Sequence, residues 1–532
     1  MRSKVDRRIP IYLFFLFCAI YILSSSFRID SGDGELMYRV AESIATGNGF
    51  AIAMEPRTAD SFGAWGEIEP VEQFKGGDGY GLYGKDGRYY AKYGLGWSLA
   101  AVPFYLLGSF FTGLFPNVTL GFLTRSAVMM LNPLLTAGSC VLFYLLARQL
   151  YDLPVSIAMT VMLGFGTIAW YYSKSAFSEP LVMFLLLLAI LAVEMDSAAL
   201  AGISLGGMVL TRQTAVFIVM PVVAWAFYRW WRCKPHHAYS KIVILLVPLA
   251  FGQIITWAYN YYRFGDLLEY GYQAVGWDTP MLTGLYSLLL SPGKGLLVFS
   301  PLLLLGIIGW PFLKRKDLAW LIIGIGLAYL LPHAMYRDWS GGGGWGPRLL
   351  LPIIPVCLLP SGLIIEKWKR SSFGEFALIL IMGISIIIQV LGISMNWARH
   401  LQRMFDESAS PAEYFNRVHY SWIDSPIIGQ FQSLREASGL LQNQSSRELL
   451  SEFINPDVPT VIIDWQSWAV HMLSFNVPDF WFIYFLFLRI PMEVVLISVL
   501  ILVIFISAML VLLQRSISET RDFGFQIKVL EL

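Results

Sequence analysis

The sequence predicts an all-α polytopic membrane protein: a bundle of about twelve transmembrane helices, with interfacial helices in its first outer loop. Three observations predict it. Of the 532 residues, 56% are apolar or aromatic and only 14% are charged, where a soluble domain carries about a quarter charged. The apolar residues gather in blocks of about 18 to 25, enough to cross a hydrocarbon core of roughly 30 Å as a helix. Lys and Arg concentrate at a few places beside those blocks. The net charge of +1 offers no basic surface for nucleic acid. The four cysteines (Cys18, Cys140, Cys233, Cys357) contain no CxxC pair, so neither a zinc site nor a disulfide framework is expected.

Backbone groups in lipid must be satisfied within their own segment, so each block reads as a helix. The blocks lie near 10–27, 95–113, 122–147, 154–172, 180–195, 198–211, 214–230, 242–261, 296–313, 318–335, 349–365, 373–395 and 491–513. The N-terminus (Arg2, Lys4, Arg7, Arg8) lacks a small-residue cleavage motif and reads as leading into an uncleaved first helix. It is basic, as are Arg229/Arg232/Lys234/Lys241, Lys314/Arg315/Lys316 and Lys367/Lys369/Arg370, and the positive-inside rule puts all four in the cytoplasm. An even number of crossings must then separate the N-terminus from 229–241, yet seven blocks lie between, so one does not cross. The best suspect is 95–113, broken by Pro103, Gly108 and Gly113 and read as interfacial or re-entrant. The runner-up is the short 198–211. The outer side then receives 28–121, 173–179, 212–213, 262–295, 336–348 and 396–490. Long, polar, aromatic-rich loops thus share one face, where function is expected. The organisation is a transmembrane domain over 1–395, with its first outer loop at 28–121, an outer segment or small cap at 396–490, and a last helix and cytoplasmic tail at 491–532. Residues 478–490 read as an aromatic interface anchor.

In the first outer loop, Leu36, Met37, Val40 and Ile44 recur at helical spacing between polar residues, which predicts a short amphipathic helix at the membrane surface. Asp33 and Glu35 stand at its start. They serve either as cap and dipole partner or as a carboxylate base at the lipid–water boundary. Asp33-Gly34-Glu35-Leu36-Met37-Tyr38 resembles the pattern after the first span of the GT-C membrane glycosyltransferases, in particular relatives of protein mannosyltransferases and lipid A aminoarabinose transferases. Gly34 stands where many of those carry a second acid. Later in the loop, AKYGLGWSLAAVPFYLLG resembles the family's Lys-Tyr/His-Pro-Pro-Gly element, with Gly94-Leu95-Gly96 replacing the prolines. Lys92 would then sit by a lipid phosphate. Its other reading is a snorkelling lysine.

The remaining outer elements follow in order. Glu179, in SKSAFSEP, is an acid at a helix end, either hydrated there or matching the Asp or Glu of the family. Arg212 lies between two apolar blocks, where an arginine needs solvation or a partner; it either snorkels or binds an anionic head group. SPGKGLLVFSP offers Lys294 and glycine N–H groups as an anion site or an ordinary turn, but without P-loop spacing. MYRDWSGGGGWGPRLLLPIIP is the most distinctive run. Its glycines allow close backbone approach, Trp339 and Trp345 suit sugar faces, and Arg348 suits a phosphate. His333, one turn earlier, is structural or part of the same site. The resemblance covers 10–365 by the order of its elements. It implies a GT-C-like bundle and a glycosyltransferase (hexosyl- or pentosyl-) that uses a polyprenyl-phosphate sugar donor. The acceptor is a glycan, lipid or protein on the outer face of a bacterial plasma membrane, in the cell envelope. Asp33 (or Glu35) would be the base, with Lys92, Glu179, Arg212, Lys294, His333, Trp339, Trp345 and Arg348 binding substrate. No cofactor is required, and a divalent metal is neither required nor excluded. The alternatives are a flippase of lipid-linked sugars and a non-catalytic protein of the same fold.

Overall fold

The computed structural model describes residues 7–52, 81–115, 118–233, 235–272, 276–440, 477–487 and 490–530. Each apolar block carries helix, as the enclosed backbone requires, though 24–27 and 300–302 are irregular. In chain order the helices are α1 (Ile9–Leu23), α2 (Gly32–Ala45), α3 (Leu95–Phe111), α4 (Leu120–Val128), α5 (Leu131–Ala147), α6 (Leu153–Gly166), α7 (Ala169–Ser173), α8 (Glu179–Glu194), α9 (Ala198–Thr211), α10 (Val216–Cys233) and α11 (Pro235–Phe264). They continue with α12 (Met281–Leu289), α13 (Leu296–Phe299), α14 (Leu303–Gly309), α15 (Lys316–Met335), α16 (Ile354–Leu358), α17 (Ser361–Trp368) and α18 (Ser372–Ser394). The outer segment and tail add α19 (Ala398–Asp406), α20 (Pro411–Tyr420), α21 (Pro426–Leu440), α22 (Trp481–Phe487) and α23 (Met492–Leu530). One small hairpin, β1 (Gly81–Tyr83) antiparallel to β2 (Tyr89–Ala91), sits in the first outer loop.

Among the described residues, seven helices are long and apolar enough to cross a membrane, and the bent pair Arg348–Leu358 and Ser361–Trp368 makes an eighth candidate. Four shorter apolar helices accompany them: Ile9–Leu23, Leu153–Gly166, Ala198–Thr211 and Leu303–Phe312. The chain is an all-α, multi-pass integral membrane protein. α9 and α11 show how such helices adhere. Gly202 and Gly206 on α9 face Leu245, Pro248 and Gly252 on α11 so closely that a Cβ on Gly206 would lie 2.6 Å from the Pro248 carbonyl oxygen. In lipid no hydrophobic force drives helices together, so close backbone packing along small residues does.

α3 is long and apolar enough to cross, but it packs against α2 at Met37 and Tyr38 and ends against α4. Near its start, the Ser98 hydroxyl donates to the Met37 carbonyl of α2 at 2.8 Å. Nearer its end, the Tyr105 ring lies 6.0 Å from that of Tyr38, and Gly108 abuts Thr124, whose hydroxyl is 2.6 Å from that of Tyr38. Pro103 is accommodated within one continuous helix rather than breaking it.

Ion pairs report which loop ends share a face, because partners must meet. Arg229 and Arg315 both pair with Glu194, at 2.6 and 2.9 Å, and Lys369 pairs with Asp152 at 3.2 Å. These residues belong to loops that the charge rule assigns inside. Asp33, Glu179, Arg212 and Arg348, all assigned outside, join one another. Among the described residues no ion pair links the two sets.

In the outer segment, α19, α20 and α21 pack on the bundle. Phe415, His419 and Tyr420 of α20 surround Trp339. Gln430 of α21 donates to the Met395 carbonyl at 3.2 Å. Much of the predicted cap, 441–476, falls outside the described residues.

Candidate active site

Two acids are brought together by two helix starts. Asp33 stands in the first turn of α2, whose N-cap Ser31 accepts the Gly34 N–H. A Cβ on Gly34 would lie 2.6 Å from the Cβ of Ala176. Glycine there lets the first turn of α2 rest directly on the loop that leads to Glu179 at the start of α8. That loop is held from behind by Asn132, whose amide donates to the carbonyls of Ser175 and Phe177 and accepts from the Trp97 indole at 3.1 Å.

Cations then alternate with the acids. The Arg348 Nη1 donates to Asp33 Oδ2 at 2.8 Å, its Nε lies 3.5 Å from Glu179 Oε1, and its guanidinium covers the Phe177 ring at 4.1 Å. Arg212 Nη1 donates to the same Glu179 oxygen at 2.7 Å. Arg212 occupies the extended break between α9 and the next helical turn, the position that lets a guanidinium leave the apolar stack. Lys92 joins from the third side, its ammonium 5.1 Å from the Tyr272 ring and 5.4 Å from that of Tyr93. The glycines after it are spatially required. A Cβ on Gly94 would lie 2.6 Å from the Leu210 carbonyl oxygen, and one on Gly96 2.9 Å from Thr211 Cα, so α3 begins against the end of α9. Tyr93 donates from its hydroxyl to Asp33 Oδ1 at 2.6 Å.

Glu179 is fully buried, whereas the Asp33 and Arg212 side chains keep 23% and 18% of their surface, so the row opens at those two ends. Burial opposes ionisation of Asp33, but the charges of Arg348 and Lys92 and the Tyr93 hydrogen bond outweigh it and hold the carboxyl below its ordinary range. Lys92 is pushed below its ordinary value, by burial first and then by the nearby arginines.

The other residues singled out from the sequence lie elsewhere. Glu35 points away from Asp33 and accepts from Arg39 at 3.0 Å and Arg125 at 2.9 Å, a buried ion triad that fastens α2 to α4. Lys294 turns from the pocket and donates to the carbonyls of Gly342 and Gly344 at 2.8 and 2.7 Å. Burial, and then Arg348, push its pKa down to about 7. With the Tyr172 hydroxyl, which donates to the Trp345 carbonyl at 2.9 Å, Lys294 shapes the glycine run before Arg348. Gly341, Gly342 and Gly346 there are left-handed, which explains the glycines. Neither tryptophan offers an open face. Trp345 is wedged between Phe299 and Tyr171, and Trp339 lies under α20. His333 is buried within α15, with Nδ1 2.7 Å from the Tyr329 carbonyl oxygen.

Tyr93, Phe177 and Tyr272 complete the pocket and were not singled out. Tyr93 had a signal, its place beside Lys92 in the AKYGLG element. The other two are aromatic residues in an aromatic-rich chain. Among the described residues no group of three or more His, Cys, Asp or Glu side chains is gathered to hold a metal ion.

No family model matches the sequence, and no curated protein matches it. Among solved structures, the chain is similar to ArnT from Cupriavidus metallidurans bound to undecaprenyl phosphate. The identity is 11% and the TM-score 0.40, covering 92% of this chain and 86% of that one. The same ArnT in the apo state matches with 11% identity, a TM-score of 0.39 and the same coverage. Likeness at this level assigns neither family nor activity, and the chemistry has to be argued from the pocket.

Proposed function

We propose that this protein is a glycosyltransferase that moves a sugar from a polyprenyl-phosphate donor to an acceptor hydroxyl at the outer membrane surface. One observation carries the reading: Asp33, Arg348, Glu179 and Arg212, spread over more than three hundred positions of the chain, form one alternating row that opens at Asp33. The sequence resemblance of 10–365 to GT-C transferases supports it independently.

The donor's phosphate is the leaving group. The acceptor oxygen attacks the anomeric carbon as the carbon–oxygen bond to phosphate breaks, and the bonding pair departs with the polyprenyl phosphate. Asp33 takes the acceptor proton. Arg348 and Lys92 meet the charge that grows on the departing phosphate. A single displacement inverts the sugar's configuration. Glu179 holds Arg348 and Arg212 in register and stays buried. Asp33 is a weak base while Arg348 bonds to it. A phosphate that draws Arg348 away raises its basicity, so donor binding prepares the base.

The test is transfer by the purified protein in nanodiscs, offered a panel of polyprenyl-phosphate sugars and candidate acceptors. Transfer with inverted configuration that Asp33→Asn abolishes is the expected result. Head-group translocation indifferent to Asp33→Asn would make the protein a flippase. Neither activity across the panel would leave it a non-catalytic member of the fold.

A further inference from the structure

Another buried charge cluster lies on the chain segments that lead into the pocket acids. Asp479 is 3% exposed and stands at the start of the aromatic stretch that precedes the last crossing. Its Oδ1 accepts from Arg28 Nη2 at 3.1 Å and from the Tyr484 hydroxyl. Its Oδ2 lies 2.8 Å from the Lys174 ammonium. Lys174, itself 2% exposed, gives its remaining donors to the carbonyls of Asp479 and Ile393 at 3.0 and 2.8 Å. The backbone joins in: the Asp479 N–H donates to the Ser394 carbonyl at 2.8 Å, and the Trp481 N–H donates to the Ser25 carbonyl at 2.8 Å. The carboxylate therefore joins the chain after α1, the loop between α7 and α8 and α22, and the backbone at 479–481 adds the end of α18 and Ser25.

The two cations it binds have matching places in the chain. Arg28 precedes Asp33 by five residues, and Lys174 precedes Glu179 by five. Between each cation and its acid lies irregular chain, because neither stretch is covered by helix until α2 and α8 begin. Such chain has no helical ladder to set its path, so side chains must: Asn132 holds only the second stretch, whereas Asp479 reaches both. We propose that Asp479 is a positioning residue for the outer pocket: by binding Arg28 and Lys174 together it sets the spacing of the two stretches that deliver Asp33 and Glu179. It touches neither acid and no substrate. The inference rests on the transferase reading only for its activity arm.

The experiment combines two readouts on the full-length protein in detergent. The first is hydrogen exchange, which needs no substrate. Asp479→Asn keeps the shape and removes the charge, and it is expected to speed exchange in peptides covering both 25–37 and 170–182. Arg28→Met is expected to loosen only the first peptide and Lys174→Met only the second, so the two arms are separable even if Asp479→Asn folds poorly. Asp479→Glu, which restores the charge, returns protection in part. The second readout is turnover. Misplacing a base by about an ångström costs on the order of a hundredfold. Asp479→Asn is therefore expected to lower kcat by tenfold or more while the KM for the polyprenyl-phosphate sugar stays within about twofold. Faster exchange confined to 477–487 would reduce Asp479 to a local tether and overturn the proposal, as would unchanged exchange at 25–37 and 170–182. A wild-type protein without transferase activity would sink the functional reading and leave the exchange arms to decide this one.

Discussion

Asp33 is held between opposing influences, and the balance has a sign that can be measured. Burial favours the neutral acid, while Arg348 and Lys92 favour the carboxylate and prevail. Under the proposed mechanism Asp33 is thus an ionised base below neutral pH, and kcat/KM for transfer should stay flat on going from neutral pH to the ordinary carboxylate value of about 4. Arg348→Met removes the stronger of the two cationic influences, so the inflection should move to higher pH, whatever happens to the absolute rate. Identical inflections in a pH–rate profile would mean that Asp33 is not the titrating base. The neighbouring acid has a different fate. Glu35 pairs with two buried arginines, and removing one member of a buried ion group costs about 3–5 kcal/mol. Glu35→Gln should therefore lower the thermal midpoint in detergent markedly. Gly34→Asp, which would install the second acid of the family pattern, should also destabilise, because its Cβ would enter Ala176.

At the scale of elements, the helices were legible because lipid leaves few alternatives: every apolar block of the sequence carries helix, with breaks such as Ser24–Phe27 and Ser300–Leu302 left unread. The start of α2 was legible too, since acids ahead of an amphipathic repeat mark a helix N-terminus. Direction of side chains was not. A lysine between glycines looks the same whether its ammonium meets a phosphate or, as Lys294 does, the carbonyls of Gly342 and Gly344. Trp345 beside four glycines suggests an open face, yet tertiary packing closes it against Phe299. Asp479 falls inside the run read as an aromatic anchor, and its cationic partners lie hundreds of residues away. Helix contact is a matter of backbone distance, so the α9–α11 seam makes a sharper prediction. Gly206→Leu or Gly252→Leu forces the helices apart, and overpacking of this kind typically costs about 1–3 kcal/mol or more. Gly383→Leu, at a site with nothing within 4 Å of the added Cβ, should be tolerated. Folded yield and thermal midpoint in detergent would separate them, and equal behaviour of all three variants would mean the seam is not a tight contact.

For the whole molecule, the crossing count follows from where charges meet. Asp33 pairs with Arg348, which in turn reaches Glu179, so the chain between 33 and 179 begins and ends on one side of the membrane. Three apolar blocks fill that interval, an odd number, and one of them must stay on its own side. α3, whose Ser98 and Tyr105 both meet α2 at Met37 and Tyr38, is the block whose contacts fit. The same parity carries forward to Cys233. It closes α10, among the basic residues of the inner set, and it is the one exposed cysteine: Cys18 and Cys140 are buried and Cys357 is half-buried. A membrane-impermeant maleimide should therefore leave the wild-type protein unmodified in intact cells and react at Cys233 once the membrane is permeabilised. Arg337→Cys, on the loop before the glycine run, should react in intact cells, because Arg337 is half-exposed and shares the side of Asp33. Labelling of Cys233 from outside would put the acids and the basic loops on the same face. The number of crossings between 212 and 233 would then be even, α10 could not span, and the pocket would lose its place at the outer surface.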